Sequence, residues 1–242
     1  MKTAPLYIRY GEHAALVRWE AVIDPMIHHE VLRLRHFISE KFSEEIIETV
    51  PAYHELALYF KPNVSVSEVL KKIKRGYKIY SEHPSEVNFN VKIPVCYDEK
   101  FALDMERVVT HTGLSKAEII AKHTETTYKV YFLGFLPGFP YLGGLDTHLA
   151  TPRLESPREY IEKGAVAIGG NQTGIYPSAS PGGWNIIGQT PLQMFDLQGS
   201  QITILRSGDF VQFVAISAQE FIWIEEKVAS NSYIIEKEVR HD

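Results

Sequence analysis

Between Val130 and Gly188 the chain places eleven of its 16 glycines and six of its 13 prolines among Tyr131, Phe132, Phe135, Phe139, Tyr141, Tyr176 and Trp184. Glycine allows positive φ and close backbone approach, while proline fixes φ and removes an amide donor. Aromatic rings between such turns need partners to pack on. The combination argues against a flexible linker and predicts rigid loops over apolar surface. We expect them to freeze a concave, aromatic-lined recess.

The 242 residues, 45% hydrophobic, are enough for one large domain or two modest ones. A net charge of -5 gives no electrostatic case for nucleic acid or a membrane surface. The nearest thing to a basic patch, Lys71-Lys72-Ile73-Lys74-Arg75, reads as a solvated helix face. Cys96 is the single cysteine, which excludes an intrachain disulfide and a thiolate metal cluster. Met1–Arg9 lacks an apolar leader, and no run approaches the roughly 18 apolar residues that span a bilayer. A cytoplasmic protein is expected.

Ordinary periodicities govern the N-terminal third. Leu6–Tyr10 and Ala14–Trp19 are β-prone and separated by Gly11-Glu12-His13, which predicts a hairpin. Asp24-Pro25 supplies an N-cap followed by proline, and Ile27, Val31, Leu34 and Ile38 share one face of a helix to about Lys41. His28, His29 and His36 on that helix have no carboxylate constellation at helical spacing and are read as surface. Ile46–Val50 and Glu55–Phe60 make a second strand pair, and Ser65 with Glu68 has capping-box spacing ahead of Val69, Ile73 and Tyr77. The order β-β-α-β-β-α suits a small antiparallel sheet with helices on one face, giving an α+β fold. The polar segment Tyr80–Asn88 breaks the pattern, so a small domain is expected over residues 1–84 and a second over 85–242.

In the second domain Phe89–Val95 alternates as a strand. Short helices are expected over Ala102–Thr112, ended by Gly113, and after the Ser115/Glu118 box to about His123. Strands are expected at Tyr128–Phe135, Ala165–Gly169, Trp184–Gly188, Leu192–Asp196, Gln201–Leu205 and Phe210–Ile216. Many short strands with Gly/Pro punctuation predict a closed or sandwich-like β architecture. Ser217 and Glu220 cap a last helix, and the charged tail after Ser230 is expected to fray.

Chemistry-bearing patterns are sparse. Gly169-Gly170-Asn171-Gln172-Thr173-Gly174 lacks the Lys-Ser/Thr of a nucleotide loop, and Ile175-Tyr176-Pro177 opens no helix. It is either a tight turn between strands or a ligand-facing loop whose amides hold an anion. His123, near a helix end and just before the Gly/Pro stretch, is either a general acid or base or a helix C-terminal histidine. Ser178 and Ser180 have no nucleophile elbow. Arg153 and Arg158 each follow a proline, and a guanidinium held that way suits a planar carboxylate. The alternative is surface pairing with Glu155, Glu159 or Glu162. No H-E-x-x-H, paired Cys or acidic loop motif points to a metal.

Four long motifs run in order: G-F-L-P-G-F-P-Y-L-G-G-L at 134–145, A-T-P-R at 150–153, G-G-N-Q-T-G-I-Y-P at 169–177 and S-P-G-G-W-N-I-I-G-Q-T-P-L at 180–192. With Y-G-E-H-A-A-L-V-R, V-P-A-Y-H-E-L and I-P-V-C-Y-D further upstream, the chain resembles the family of the 5-oxoprolinase B subunit, also called the KipI or allophanate hydrolase subunit 1 family. The resemblance implies a small α+β domain followed by a cyclophilin-like β-barrel. It also implies an ATP-dependent complex, with a KipA-like C subunit and with an A subunit, that opens 5-oxoproline to L-glutamate. ATP would be used through the A subunit, and no cofactor would be held by the present chain. Other members imply inhibition of a sensor histidine kinase, or an allophanate or urea amidolyase-type hydrolase. The family's pocket motifs fall on Phe135, Gly138, Phe139, Gln172, Thr173, Tyr176, Gly182, Gly183 and Trp184, with His123 and Arg158 nearby. On that basis Arg158 or Arg153 would hold the substrate carboxylate, Gln172 and backbone amides would polarise the lactam carbonyl, and His123 would relay a proton. Gln189 stands where many relatives carry Arg or Lys, and Ala215 where proline is usual.

Overall fold

The computed structural model describes residues 4–80, 87–197 and 202–240. They form two compact units, Met1–Glu86 and Val87–Asp242. The boundary expected at 84/85 lies outside the described residues.

In the first unit, β1 (Leu6–Arg9) and β2 (Ala14–Arg18) form the expected hairpin, and α1 (Pro25–Lys41) starts at Asp24, whose carboxylate accepts from the Met26 and Ile27 amides. β3 (Ile46–Pro51), β4 (Glu55–Phe60) and α2 (Val66–Ile79) complete it, with the antiparallel order β1-β2-β4-β3. Period-2 burial of Ala15, Val17, Leu56, Leu58 and Phe60 gives the sheet one apolar face. Val31, Leu34 and Ile38 of α1 and Val69 and Ile73 of α2 cover that face. Two readings are corrected here. His28 is fully buried, because it lies one turn before Val31 and Leu32 on the packed face of α1. Ser65 occupies the N-cap of α2, yet its side chain makes no capping bond.

In the second unit, β5 (Phe89–Cys96) is followed by α3 (Met105–Thr112), which Gly113 ends with φ +72, and by α4 (Lys116–Glu125), which carries the full Ser115/Glu118 capping box. Then come β6 (Thr127–Leu133), β7 (Pro140–Gly143), β8 (Arg158–Ile161), β9 (Ala165–Gly169), β10 (Gln172–Ile175), β11 (Ser180–Gly182), β12 (Asn185–Gln189) and β13 (Phe210–Ile216). α5 (Ala218–Ala229) and β14 (Lys237–Val239) end the chain. The order β12-β9-β10-β7-β6-β13-β5 returns to β12 through Gln189 and Cys96, closing a seven-stranded barrel. β8 and β11 pair separately as a two-stranded ribbon. Val91, Ile93, Val130, Leu142, Val166, Ile168, Ile187, Val211 and Phe213 form one interior cluster with Met105 and Val108 of α3 and Ile119 of α4.

Leu192–Asp196 and 202–205 are not ladder strands; only Phe195 and Thr203 bridge. Leu192, Met194, Ile204 and Leu205 are buried, and the two segments bond to each other, the Asp196 amide donating to the Ile202 carbonyl at 2.9 Å and the Ile204 amide to the Met194 carbonyl at 3.3 Å. The tail is also ordered: β14 adds to the first half of β5, beside the point where β12 meets its second half. β7, β10 and β11 carry no alternating signal because glycine and proline break their apolar pattern, and β8 carries none because three of its four residues are polar or exposed.

Asp209, almost completely buried, ties the strand entrances together. Its carboxylate accepts from the Phe89 amide at 3.0 Å and the Arg206 amide at 2.8 Å, and its carbonyl accepts from Val130 at 2.8 Å. Asp209→Ala removes both carboxylate acceptors and is expected to lower unfolding free energy by about 2–3 kcal/mol in urea denaturation, and Asp209→Asn by about half as much. A change in Asp209→Ala below about 0.5 kcal/mol would remove Asp209 from barrel closure.

Candidate functional site

Alternation along the barrel strands decides which side chains face outward. On β9, Val166 and Ile168 join the interior, whereas Ala165 and Ala167 join a second cluster with Phe139, Ile161, Tyr176, Trp184 and Ile186. The register of β10 follows suit, with Thr173 beside Ile168 inside and Gln172 beside Gly169 outside.

This outer cluster is an aromatic layer for which glycines make room. A Cβ on Gly169 would stand 2.5 Å from the Trp184 indole, and one on Gly174 3.0 Å from the Phe139 ring. Gly143 lies under Tyr131, and Gly182 against Tyr176, too closely for any side chain. The rings then meet edge to face, Phe139 with Trp184 at 5.5 Å and 89° and with Tyr176 at 5.2 Å and 84°, while Phe132 and Tyr141 stack at 4.4 Å. The expected recess is therefore filled by its own rings. Two clefts of about 400 and 440 Å³ lie beside α5, and neither is lined by a ring of this layer.

The β6–β7 turn presents Phe135. The Leu136 amide donates to the Gly134 carbonyl at 2.9 Å across Phe135, whose φ is +68, giving the rarer, strained kind of γ-turn. Phe139 then donates to Leu136 at 3.0 Å across Pro137 and Gly138, with φ +83 at Gly138, as in a type II turn. Phe135 is left 65% exposed, edge-on to Phe139 at 5.9 Å.

The structure parts the candidate residues. Phe135, Phe139, Gln172, Tyr176, Gly182 and Trp184 belong to the outer layer or its rim. Gly183 pins the 151–158 segment, its carbonyl accepting from Leu154 at 2.7 Å. Arg153 is exposed and lies 5.4 Å from the Trp184 ring centre. The Gly169–Gly174 motif is a two-residue hairpin turn with φ +67 at Gly170, whose amide donates to the Thr151 carbonyl at 2.8 Å, so that amide is not free for an anion.

His123 and Thr173 lie inside the barrel. Thr173 Oγ1 donates to the Ala167 carbonyl at 3.1 Å, so it accepts from His123 Nε2–H at 3.0 Å, and Nδ1 accepts from the Tyr97 hydroxyl at 2.7 Å. The imidazole is fully buried and stacked on Phe213 at 4.4 Å. Burial pulls it down to about 3 and pushes the Tyr97 hydroxyl well above its usual range. These groups stay neutral, and His123 has the geometry of a core histidine rather than of a proton relay. Arg158 is likewise occupied: Nη1 and Nη2 donate to Asp104 Oδ2 and Oδ1 at 2.9 and 2.6 Å, in place of the surface pairing with Glu155, Glu159 or Glu162. Asp104, the α3 N-cap, also accepts from the Ile186 amide, and Arg107 donates to Asn185; the sequence offered no motif for either. Among the described residues, no three His, Cys, Asp or Glu side chains gather as a metal site, and no helix is long and apolar enough to cross a membrane.

The carboxyltransferase domain model, subdomain C and D, matches residues 5–205. Proteins named as the B subunit of 5-oxoprolinase, from Bacillus subtilis (strain 168) and Escherichia coli O157:H7, are 38% and 34% identical, over 87% and 88% of this chain and 92% and 97% of theirs. The chain belongs to the family of the 5-oxoprolinase B subunit. Among solved structures, TTHA0988 superposes with a TM-score of 0.75 at 32% identity, covering 85% of this chain and 40% of its own. The Kluyveromyces lactis urea amidolyase shares the fold, with a TM-score of 0.78 at 21% identity over 97% of this chain and 16% of the amidolyase.

The histidine sets a pH dependence for this family member. An unfolded imidazole takes a proton near 6.5 and the folded one only near 3, so its contribution to stability is complete above 6.5 and is lost as pH falls through that window. His123→Gln keeps one acceptor and one donor without the charge. Wild type is expected to lose up to about 1.4 kcal/mol per pH unit more than His123→Gln between pH 6 and 4 in urea denaturation. Parallel slopes would show that the imidazole ionises in the folded protein.

Proposed function

We propose that this chain is the B subunit of an ATP-dependent 5-oxoprolinase complex that opens 5-oxoproline to L-glutamate together with the A and C subunits. The observation that carries the reading is the nearly end-to-end match to relatives bearing that name. Opening an unstrained lactam under cellular conditions needs coupling to ATP, and the chain has no nucleotide loop, so ATP is used through the A subunit. The present chain contributes a binding face. Arg153, steadied on Trp184, holds the substrate carboxylate, while Gln172 at the rim of the same face polarises the lactam carbonyl. Since His123 is sealed in the barrel, the proton-transfer group comes from the KipA-like C subunit, which covers the face and excludes water. Phe135, held outward by its turn, is the anchor for that partner.

The likeness to the urea amidolyase favours a second reading, one component of an amidolyase-type hydrolase acting on a urea-derived amide. Inhibition of a sensor histidine kinase through the same face is the reading from a different class. Reconstitution with the A and C subunits separates the three. Wild type is expected to release glutamate from 5-oxoproline only with ATP, and Arg153→Ala to lower kcat/KM by about 10–100-fold without loss of assembly. Wild-type activity in Arg153→Ala would remove that residue's role. No turnover of 5-oxoproline, with turnover of allophanate or with suppressed kinase autophosphorylation, would replace the reading itself.

A further inference from the structure

We infer that Arg107 and Arg153, joined through the Asn185 side chain, form an oxyanion site for the carboxylate or phosphate group of a small ligand. The site is built around three successive residues where β12 begins. Arg153 rests on the Trp184 ring. Arg107 Nε donates to Asn185 Oδ1 at 2.9 Å, and Asn185 Nδ2 donates to the Pro152 carbonyl at 3.0 Å, the peptide that leads into Arg153. A single asparagine side chain therefore joins the Arg107 guanidinium to the backbone of Arg153. Asn185 Nδ2 also donates to the Ile168 carbonyl at 3.0 Å, and the side chain is completely buried, so this joint is rigid. At the third residue, Ile186, Asp104 accepts the amide and grips Arg158.

Charge decides what the cluster is for. Three guanidiniums and one carboxylate are tied to residues 184–186, in a chain whose net charge is -5. Arg158 spends both terminal amino groups on Asp104. Among the described residues Arg107 and Arg153 have no carboxylate partner, and Arg107 commits only its Nε. A guanidinium pinned through Nε and another stacked on an indole each keep a terminal N–H pair with restricted direction, which matches two oxygens of a carboxylate or phosphate. Arg107 lies outside the motifs that carry the family resemblance. The choice of 5-oxoproline as one ligand rests on the functional reading above; the oxyanion site itself does not.

The test is a nitrogen-15 NMR titration of the full chain, following the Trp184 indole and arginine Nε–H signals, with inorganic phosphate, 5-oxoproline and uncharged 2-pyrrolidinone added separately. Saturable shifts are expected with at least one of the two anions and none with 2-pyrrolidinone. A response to 5-oxoproline alone assigns the site to a substrate carboxylate, and a response to phosphate assigns it to a phosphoryl group. Arg107→Gln keeps a donor for Asn185 but no charge, and with Arg153→Ala it is expected to weaken binding by about tenfold or more, whereas Arg107→Lys loses less. No saturable shift with either anion, or unchanged affinity in both variants, would overturn the site. Anion binding by a chain that reconstitutes no oxoprolinase would keep the site and remove the function. Full oxoprolinase turnover without anion binding would do the reverse.

Discussion

An aromatic ring can lie flat on a β-strand only where the residue beneath it has no Cβ. Gly169 under Trp184, Gly174 under Phe139, Gly143 under Tyr131 and Gly182 against Tyr176 meet that condition on the second unit. The rings then lock edge to face and bury one another, adding a second apolar layer to the outside of a barrel whose interior is already filled. The glycine-rich motifs are thus largely steric devices. Positive φ matters at a few turns, chiefly Gly138 and Gly170, which reverse the chain so that successive strands carry their rings to the same face.

What remains for chemistry follows from this packing. The barrel interior is sealed and neutral: His123, Tyr97 and Thr173 form a directed chain of hydrogen bonds that ends on the Ala167 carbonyl. Arg158 and Asp104 satisfy each other and lock α3 to β12. The outer face keeps outward features that include the strained and exposed Phe135, Gln172 at the rim and a guanidinium steadied on Trp184.

Much of the fold was legible. Asp24-Pro25, Ser115/Glu118 and Ser217/Glu220 marked helix starts that the structure reproduces, because local hydrogen bonds decide them. The β-β-α-β-β-α order and a closed or sandwich-like β architecture followed from periodicity and turn punctuation, and the family resemblance narrowed the second to a barrel. β10 and β7 were hidden, since their outward positions carry glycine beneath a ring instead of an alternating side chain. Leu192–Asp196 alternates like a strand, yet it meets 202–204 only at an isolated bridge and joins no ladder of the barrel. His28 and His123 show the same limit, because a single histidine gives no local sign of whether its face is packed. For the site, the motifs located the outer face but not its use: Arg153 is free where Arg158 is spent, a distinction made by Asp104 from a distant helix.

The central claim is that the glycine, proline and aromatic segment is a packed layer of the barrel. Native-state hydrogen exchange on the full chain tests it directly. Amides of Gly134, Phe139, Leu154 and Gly170, all bonded within this layer or to the segments it pins, should exchange as slowly as those of β5 and β13 in the barrel wall. Exchange at loop-like rates across 134–145 and 151–183, with β5 and β13 still protected, would contradict it.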